Sequence, residues 1–219
     1  MQDLGEKLLR FRINKDLKYL IFDCESESLN LGCNNRPWNL SWLVIENGQI
    51  KEEFDLYPFI HDLQLSEGAA TITRFDYNDY KRKSTPAIDC YNTLAKYIYN
   101  PEYLVVGQNL LNFDCYMLAN LQKYLGIKPD FSYIERIYDT KSINFAWQTG
   151  VPFPKIKDEI PAWMIKMCSS YKKGIKTSNM ATAKMLGVNY DIAHAHEGLS
   201  DCKLSNEIFK QLIWKLEVW

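Results

Sequence analysis

The stretch Lys18-Tyr-Leu-Ile-Phe22 is a short, nearly continuous apolar run, and it ends directly in Asp23-Cys-Glu25. A strand of that composition has both faces buried, as in the middle of a sheet covered by helices. Two carboxylates one residue apart then project from the same side, because a strand repeats every two residues. Like charges at the end of a buried strand are costly unless a cation lies between them, and hard divalent cations such as Mg2+ take such oxygen ligands. The same pair also suits a solvated turn, so alone it fixes the strand and leaves the chemistry open.

The rest of the pattern builds around that strand. Trp38–Ile45 alternates at Trp38, Leu40, Trp42 and Val44 and reads as a second strand. Glu46-Asn-Gly-Gln49 supplies an Asn-Gly hairpin turn, and Ile50–Tyr57 alternates again. Thr85-Pro86 offers an N-cap and a proline at the first helical position, with Ile88, Tyr91, Ala95 and Ile98 on one face and Asn100-Pro101 as the stop. Tyr103–Val106 is a fourth strand. Asn112 is placed to cap the next helix, whose stripe is Met117, Leu118, Leu121 and Leu125 and which Gly126 ends. Arg136–Asp139 is a fifth strand, and a last helix carries Leu199, Cys202, Ile208, Phe209, Leu212, Ile213 and Leu216. This order predicts an α/β domain with a central mixed five-stranded sheet flanked by helices. Ser26–Arg36, Pro58–Ser84 and Gln148–Ser178 resist assignment. The last is rich in lysine, proline and aromatic residues, and is read as an insertion or arm on a single domain spanning residues 1–219.

Composition narrows the classes only a little. A net charge of −1 lacks the basic excess typical of nucleic-acid binders. Carboxylates that hold cations are neutralised locally, however, so the class stays open. The six cysteines form no CxxC pair and show no zinc spacing, which suits free thiols in a reducing cytoplasm. No apolar run reaches membrane-spanning length, and Met1 to Arg12 lacks the apolar stretch of a signal peptide. A cytoplasmic location is the expectation.

Two further groups carry potential chemistry. Asp114 follows Gly107-Gln-Asn-Leu-Leu-Asn-Phe113 in the first turn of a predicted helix, where a carboxylate is favoured by the helix dipole in any case. Asn109 either holds that loop or ends the strand before it. His196 and Asp201 are five apart in Ala195-His-Glu-Gly-Leu-Ser-Asp-Cys202, which suits a loop histidine and an aspartate in the following first turn. An imidazole can accept a proton from water near neutral pH. A surface histidine beside a helix-capping acid has the same pattern, and His194 competes for the role.

Taken in order, Phe22-Asp-Cys-Glu-Ser26, Asn109-Leu-Leu-Asn-Phe-Asp114 and His196-Glu-Gly-Leu-Ser-Asp201 resemble the motifs of the DEDDh exonuclease family. That family lies in the ribonuclease H-like superfamily and includes polymerase proofreading subunits. The resemblance runs from about Lys18 to about Trp214. It implies a ribonuclease H-like fold and a 3′→5′ exonuclease whose catalytic set is Asp23, Glu25, Asp114, His196 and Asp201. In that reading Asp23, Glu25, Asp114 and Asp201 bind two divalent metal ions, Mg2+ or Mn2+, with Asp23 bridging, and His196 is the general base. The product is a nucleoside 5′-monophosphate. The implied partner is a nucleic acid 3′ end, with single-stranded DNA favoured. RNA or a short oligoribonucleotide is the alternative, because the motifs do not see a 2′-hydroxyl. Proofreading would need a polymerase in trans. An inactive nucleic-acid-binding module is the remaining alternative, against which all five residues are present.

The resemblance also suggests lesser roles. Ser26 reads as a contact to the terminal sugar or phosphate, or as a turn residue. Asn109 reads as substrate-binding, and Gln108-Asn109 stands where many relatives have His-Asn. Asp139-Thr140 resembles a common fifth-strand pair, with Asp139 structural rather than a ligand. Leu29 and Leu31 lie in an unusual link and either wedge against terminal bases or pack on the core. Trp163 and Tyr171, interleaved with Lys155, Lys157, Lys166, Lys172, Lys173 and Lys176, either stack bases and hold phosphates or form a solvated face. Lys81-Arg-Lys83 carries the same two readings.

Overall fold

A computed structural model describes residues 17–191 and 196–216. His194 and the stretch Met1–Arg12 lie outside the described residues. The central strand β1 (Lys18–Ser26) pairs antiparallel with β2 (Pro37–Glu46), which turns back through Asn47 and Gly48 into β3 (Gln49–Leu56). Both turn residues have positive φ, 55° and 70°, as a two-residue hairpin turn matching the strand twist requires. On its other side β1 runs parallel to β6 (Tyr103–Gly107), which runs parallel to β7 (Ile137–Asp139). The order β3-β2-β1-β6-β7 is the expected mixed five-stranded sheet.

The first strand extends further than its apolar run. It continues through Asp23 to Ser26 because β2 keeps pairing with it, Asp23 opposite Ser41 and Glu25 opposite Asn39. On the β6 side pairing stops at Ile21 opposite Val106. The last turn-facing residues of β1 therefore have one neighbouring strand, and their free edge is where the site is built.

Eight helices flank the sheet among the described residues. They are α1 (Glu67–Thr73), α2 (Tyr77–Lys83), α3 (Ala87–Ile98), α4 (Asp114–Tyr124), α5 (Thr140–Thr149), α6 (Ile160–Ser169), α7 (Asn179–Leu186) and α8 (Gly198–Leu212). Tyr19 donates its hydroxyl to Asn206 of α8, whereas Cys24 reaches Asp114 of α4. Residues five apart on a strand face opposite ways, so α8 and α4 cover opposite faces of the sheet. Cys202, Ile208, Phe209 and Leu212 of α8 and Met117, Leu118 and Leu121 of α4 are buried in the core.

Several local expectations are corrected. Thr85 is not an N-cap: its N–H donates to Tyr57 O, and Thr85–Pro86 forms a two-residue strand β5 beside β4 (Pro58–Phe59). Helix α3 starts at Ala87 without a side-chain cap, and its buried face is Ala87, Cys90, Tyr91, Leu94 and Ile98, with Ile88 exposed. Asn112 does not cap α4 either. It ends a short 3-10 turn, Leu110–Asn112, and donates its side-chain amide to Cys168 O at 3.0 Å. The unassigned stretch 58–84 folds into α1 and α2, capped by Ser66 and Asp76. Within 148–178, α6 buries Ile160, Met164, Met167 and Cys168 against the core, and Trp163 packs edge-on to Phe153. The loop after β1 is held by the buried Glu27, which accepts from the Arg36 guanidinium and from Gln64 N. No described helix is long and apolar enough to cross a membrane.

Candidate active site

Asp23 and Glu25 lie half-buried on one side of β1, with Cys24 buried between them. The free edge of β1 leaves the Cys24 N–H without a strand partner. Asp114 takes it: its Oδ1 accepts from Cys24 N at 3.0 Å and from Cys24 Sγ at 3.1 Å. Asp114 opens α4 and is buried. Asp201 occupies the first turn of α8, and its Oδ2 accepts from His196 N at 3.2 Å. His196 is exposed and sits at φ 64°, in the left-handed region. Ligand atoms of Glu25, His196 and Asp201 all lie within 4.8 Å of one another. Asp23, Glu25, Asp114, His196 and Asp201, from three distant stretches, line one open cleft of about 530 Å³, and Asn109 lines it too.

Ser26 is placed differently. It is buried beyond a β-bulge, and its hydroxyl donates to Ser28 O at 2.7 Å, which is the turn arrangement. Leu29 is 79% exposed at the cleft edge, so it does not pack on the core. The Lys81-Arg-Lys83 cluster forms the last turn of α2, where Arg82 and Lys83 pair with Asp79.

Glycines and a buried aspartate set the walls. A Cβ on Gly107 would lie 2.4 Å from Phe22 O and 2.9 Å from the Leu110 side chain, so β6 can pass this close to β1 only as glycine. The chain then turns at Asn109, φ 62°, a conformation asparagine tolerates. Asp139 holds that turn: its carboxylate accepts from the backbone N–H of Asn109, Leu111, Lys141 and Ser142 at 2.9 to 3.3 Å. It caps α5 and anchors the loop ahead of Asp114 in one step. Gln108 bridges the cleft wall, accepting from Thr140 Oγ1 and donating to Thr177 O. Gly198 seats α8 on β2, since a Cβ there would lie 2.4 Å from both Asn39 Oδ1 and Ser41 Oγ. Those two side chains are themselves tied to Asp55.

The electrostatics follow from crowding acids away from water. Burial holds the Asp23 carboxyl well above the usual carboxylate range, and the charges of Asp114, Glu25 and Asp201 add to it. Burial, then Asp201 and Asp114, push Glu25 up to about 8. Burial pushes Asp114 up to about 7 against the opposing hydrogen bonds from Cys24. Asp201 is raised by burial, with His196 acting the other way. Among the described cleft residues one lysine or arginine is present, Lys141, and its ammonium donates to the amide oxygen of Asn109 at 2.9 Å. Four carboxylates all raised by burial, with the one ammonium of the cleft turned to Asn109, favour protons or added cations. Carboxylate oxygens with an imidazole at hand suit hard divalent ions such as Mg2+ or Mn2+, so the donor set fits the implied metals.

Sequence reasoning missed Lys141, Gly198 and the segment 177–180, which supplies the facing wall. Lys141 was within reach, because it follows the Asp139-Thr140 pair at a strand's C-terminal end, where α/β folds place their ligands.

The architecture has solved counterparts. A zinc-bound complex of E. coli exonuclease I with single-stranded DNA superposes with a TM-score of 0.68 at 14% identity, covering 90% of this chain and 40% of that one. E. coli exonuclease I in complex with a dA16 oligonucleotide gives 0.67 at 16% identity, covering 90% and 41%. A further exonuclease I structure gives 0.69 at 15% identity, again covering 90% and 41%. The chain shares the fold of the part of exonuclease I that it covers. That fold is the ribonuclease H-like architecture expected from the motifs. The chain spans about two fifths of the length of these exonuclease I chains. No family model and no curated protein sequence matches it.

Proposed function

We propose that the protein is a metal-dependent 3′→5′ exonuclease that removes nucleoside 5′-monophosphates from the end of a single-stranded nucleic acid, DNA in preference. The observation that carries this reading is the convergence of four carboxylates and one imidazole, from β1, α4 and the start of α8, on a single cleft. Support for DNA comes from the fold, since exonuclease I structures of the same architecture are complexes with single-stranded DNA and with a dA16 oligonucleotide.

Asp23, Glu25, Asp114 and Asp201 would hold two Mg2+ or Mn2+ ions. The chemistry such cations supply is Lewis-acid polarisation of a phosphodiester and stabilisation of charge on its leaving 3′ oxygen. The protein's own groups do the rest. His196, exposed at the cleft mouth and within reach of Glu25 and Asp201, takes the proton from the attacking water. Its backbone N–H is already fixed on Asp201, so the loop carrying the imidazole is tied to the carboxylate cluster. Asn109 and Gln108 form the wall against which a terminal nucleotide would lie, and Leu29 overhangs it.

The test is incubation with matched single-stranded and double-stranded DNA and RNA, labelled at the 5′ end, with Mg2+, with Mn2+ and with EDTA. A ladder shortening from the 3′ end, abolished by EDTA and by Asp23→Ala, is expected. Binding without nucleotide release under all conditions would leave a nucleic-acid-binding module instead.

A further inference from the structure

Between Lys166 and Lys176 the chain carries four lysines and no acid, although the protein as a whole has a net charge of −1. Lys166, Lys172, Lys173 and Lys176 are exposed, and among the described residues none of their ammonium groups has a hydrogen-bond or ion-pair partner. Lys18, Lys83, Lys203 and Lys210 are each paired with an acid, and exposed lysines without one, such as Lys96, Lys128 and Lys184, stand singly, so it is the clustering that sets this segment apart. Within this segment Tyr171 is 87% exposed. An aromatic ring that solvated, set beside unpaired ammonium groups, contributes nothing to the core.

The segment is anchored at both ends. Cys168, at its start, is buried, and its carbonyl accepts from Asn112. At its end Lys176 O accepts from Gln148 at 2.8 Å, and Thr177 O accepts from Gln108 at 2.6 Å. A turn closed by Ile175 N donating to Lys172 O, with Gly174 at φ 91°, lies between the anchors. The segment leads directly into the cleft, because Thr177 and Ser178 line it together with Lys141 and Asn109.

We infer that this segment is a landing track for the part of a single-stranded nucleic acid upstream of the 3′ end held in the cleft. Tyr171 stacks on a base, and Lys172, Lys173 and Lys176 meet successive phosphates, with Lys141 the innermost cation. Aromatic rings interleaved with ammonium groups are what sequence-tolerant single-strand binding uses, and charge complementarity together with continuity into the cleft selects that partner. The inference rests on the exonuclease reading for the placement of the 3′ end.

The experiment is equilibrium binding of 5′-fluorescein oligothymidylates of 3, 8 and 16 residues in EDTA, titrated with salt, alongside Mg2+-dependent release from the same oligomers. The variants are Lys172→Gln/Lys173→Gln/Lys176→Gln and Tyr171→Ala. Removing three phosphate contacts on a single strand should lower the slope of log affinity against log salt by about 2. For the 16-mer this is expected as a loss of about tenfold or more near 0.1 M salt. The loss should grow with oligomer length, and Tyr171→Ala should add about fivefold or more, from one lost stacking contact. All variant sites are exposed, and unchanged melting temperatures will show that the fold is kept. A triple variant with wild-type affinity and slope at every length overturns the track, whether or not nucleotides are released. Length-dependent loss in a protein that releases no nucleotide keeps the track and removes the exonuclease reading.

Discussion

At the scale of single residues, His196 combines exposure, a left-handed backbone and a hydrogen bond from its own N–H to the acid cluster. The imidazole is thus held by the main chain and not by burial, and its removal should leave the carboxylates in place. His196→Ala is expected to lower nucleotide release by about 100-fold or more, the usual contribution of a general base. Mg2+ affinity, measured by calorimetric titration, should fall far less. Equal turnover in the mutant would move the proton to bulk solvent or to His194. That these five residues share one cleft was legible because the three motifs tie residue type to chain order. Lys141 was overlooked: its place after Asp139-Thr140 pointed to it, but its tie to Asn109 shows only once α5 is packed beside that loop. Of the two readings of Ser26, the turn residue is the one its contacts fit: the bulge after Glu25 turns it inward, and bulges leave no mark in a sequence pattern.

At the scale of elements, the five strands of the main sheet were readable, β1 from its continuous apolar run and β2 and β3 from alternation and the Asn-Gly turn, whereas the two-residue β4 and β5 were not. Helices α1, α2 and α6 were not. The first two are seven residues long, too short for a stripe, and α6 carries buried residues within a lysine-rich stretch whose charge hides them. Thr85-Pro86 had the composition of a helix start, but the N–H of Thr85 was claimed by Tyr57. The element that matters most for the site is α8, whose first residue presses on Asn39 and Ser41. Gly198→Ala should force α8 away from β2 and carry Asp201 and His196 with it. A loss of about 1–3 kcal/mol in stability is expected from such overpacking, together with a fall in nucleotide release larger than the loss of folded protein. Denaturant melts and single-turnover assays on one preparation separate the two. Release in proportion to folded fraction would show that α8 re-seats without harm.

At the scale of the whole molecule, the acid cluster links stability to pH and to divalent ions. Glu25 rises from 4.5 to about 8 and Asp114 from 3.8 to about 7 on folding. From about pH 4 to pH 8 the metal-free folded protein therefore retains protons that the unfolded chain has released, so its stability falls as pH rises through that window. Below the window both states are protonated and nothing is lost. In EDTA the melting temperature should drop by about 5 °C or more between pH 5 and pH 8, since each kcal/mol is worth about 2–4 °C in a chain of this size. Mg2+ should flatten the decline by taking the place of the protons. Scanning fluorimetry at four pH values, with and without Mg2+, measures both, and a level profile in EDTA would mean that the carboxylates do not crowd one another.

Of the six thiols, Cys33 alone is exposed, and Cys24, Cys90, Cys115, Cys168 and Cys202 are buried. A maleimide dye offered to the native protein should therefore couple once, as intact-mass spectrometry would show. It would sit on the same connecting loop as Leu29, which overhangs the cleft. The unmutated protein thus comes with a ready-made attachment point for a fluorophore, close enough to brighten or dim when an oligonucleotide arrives.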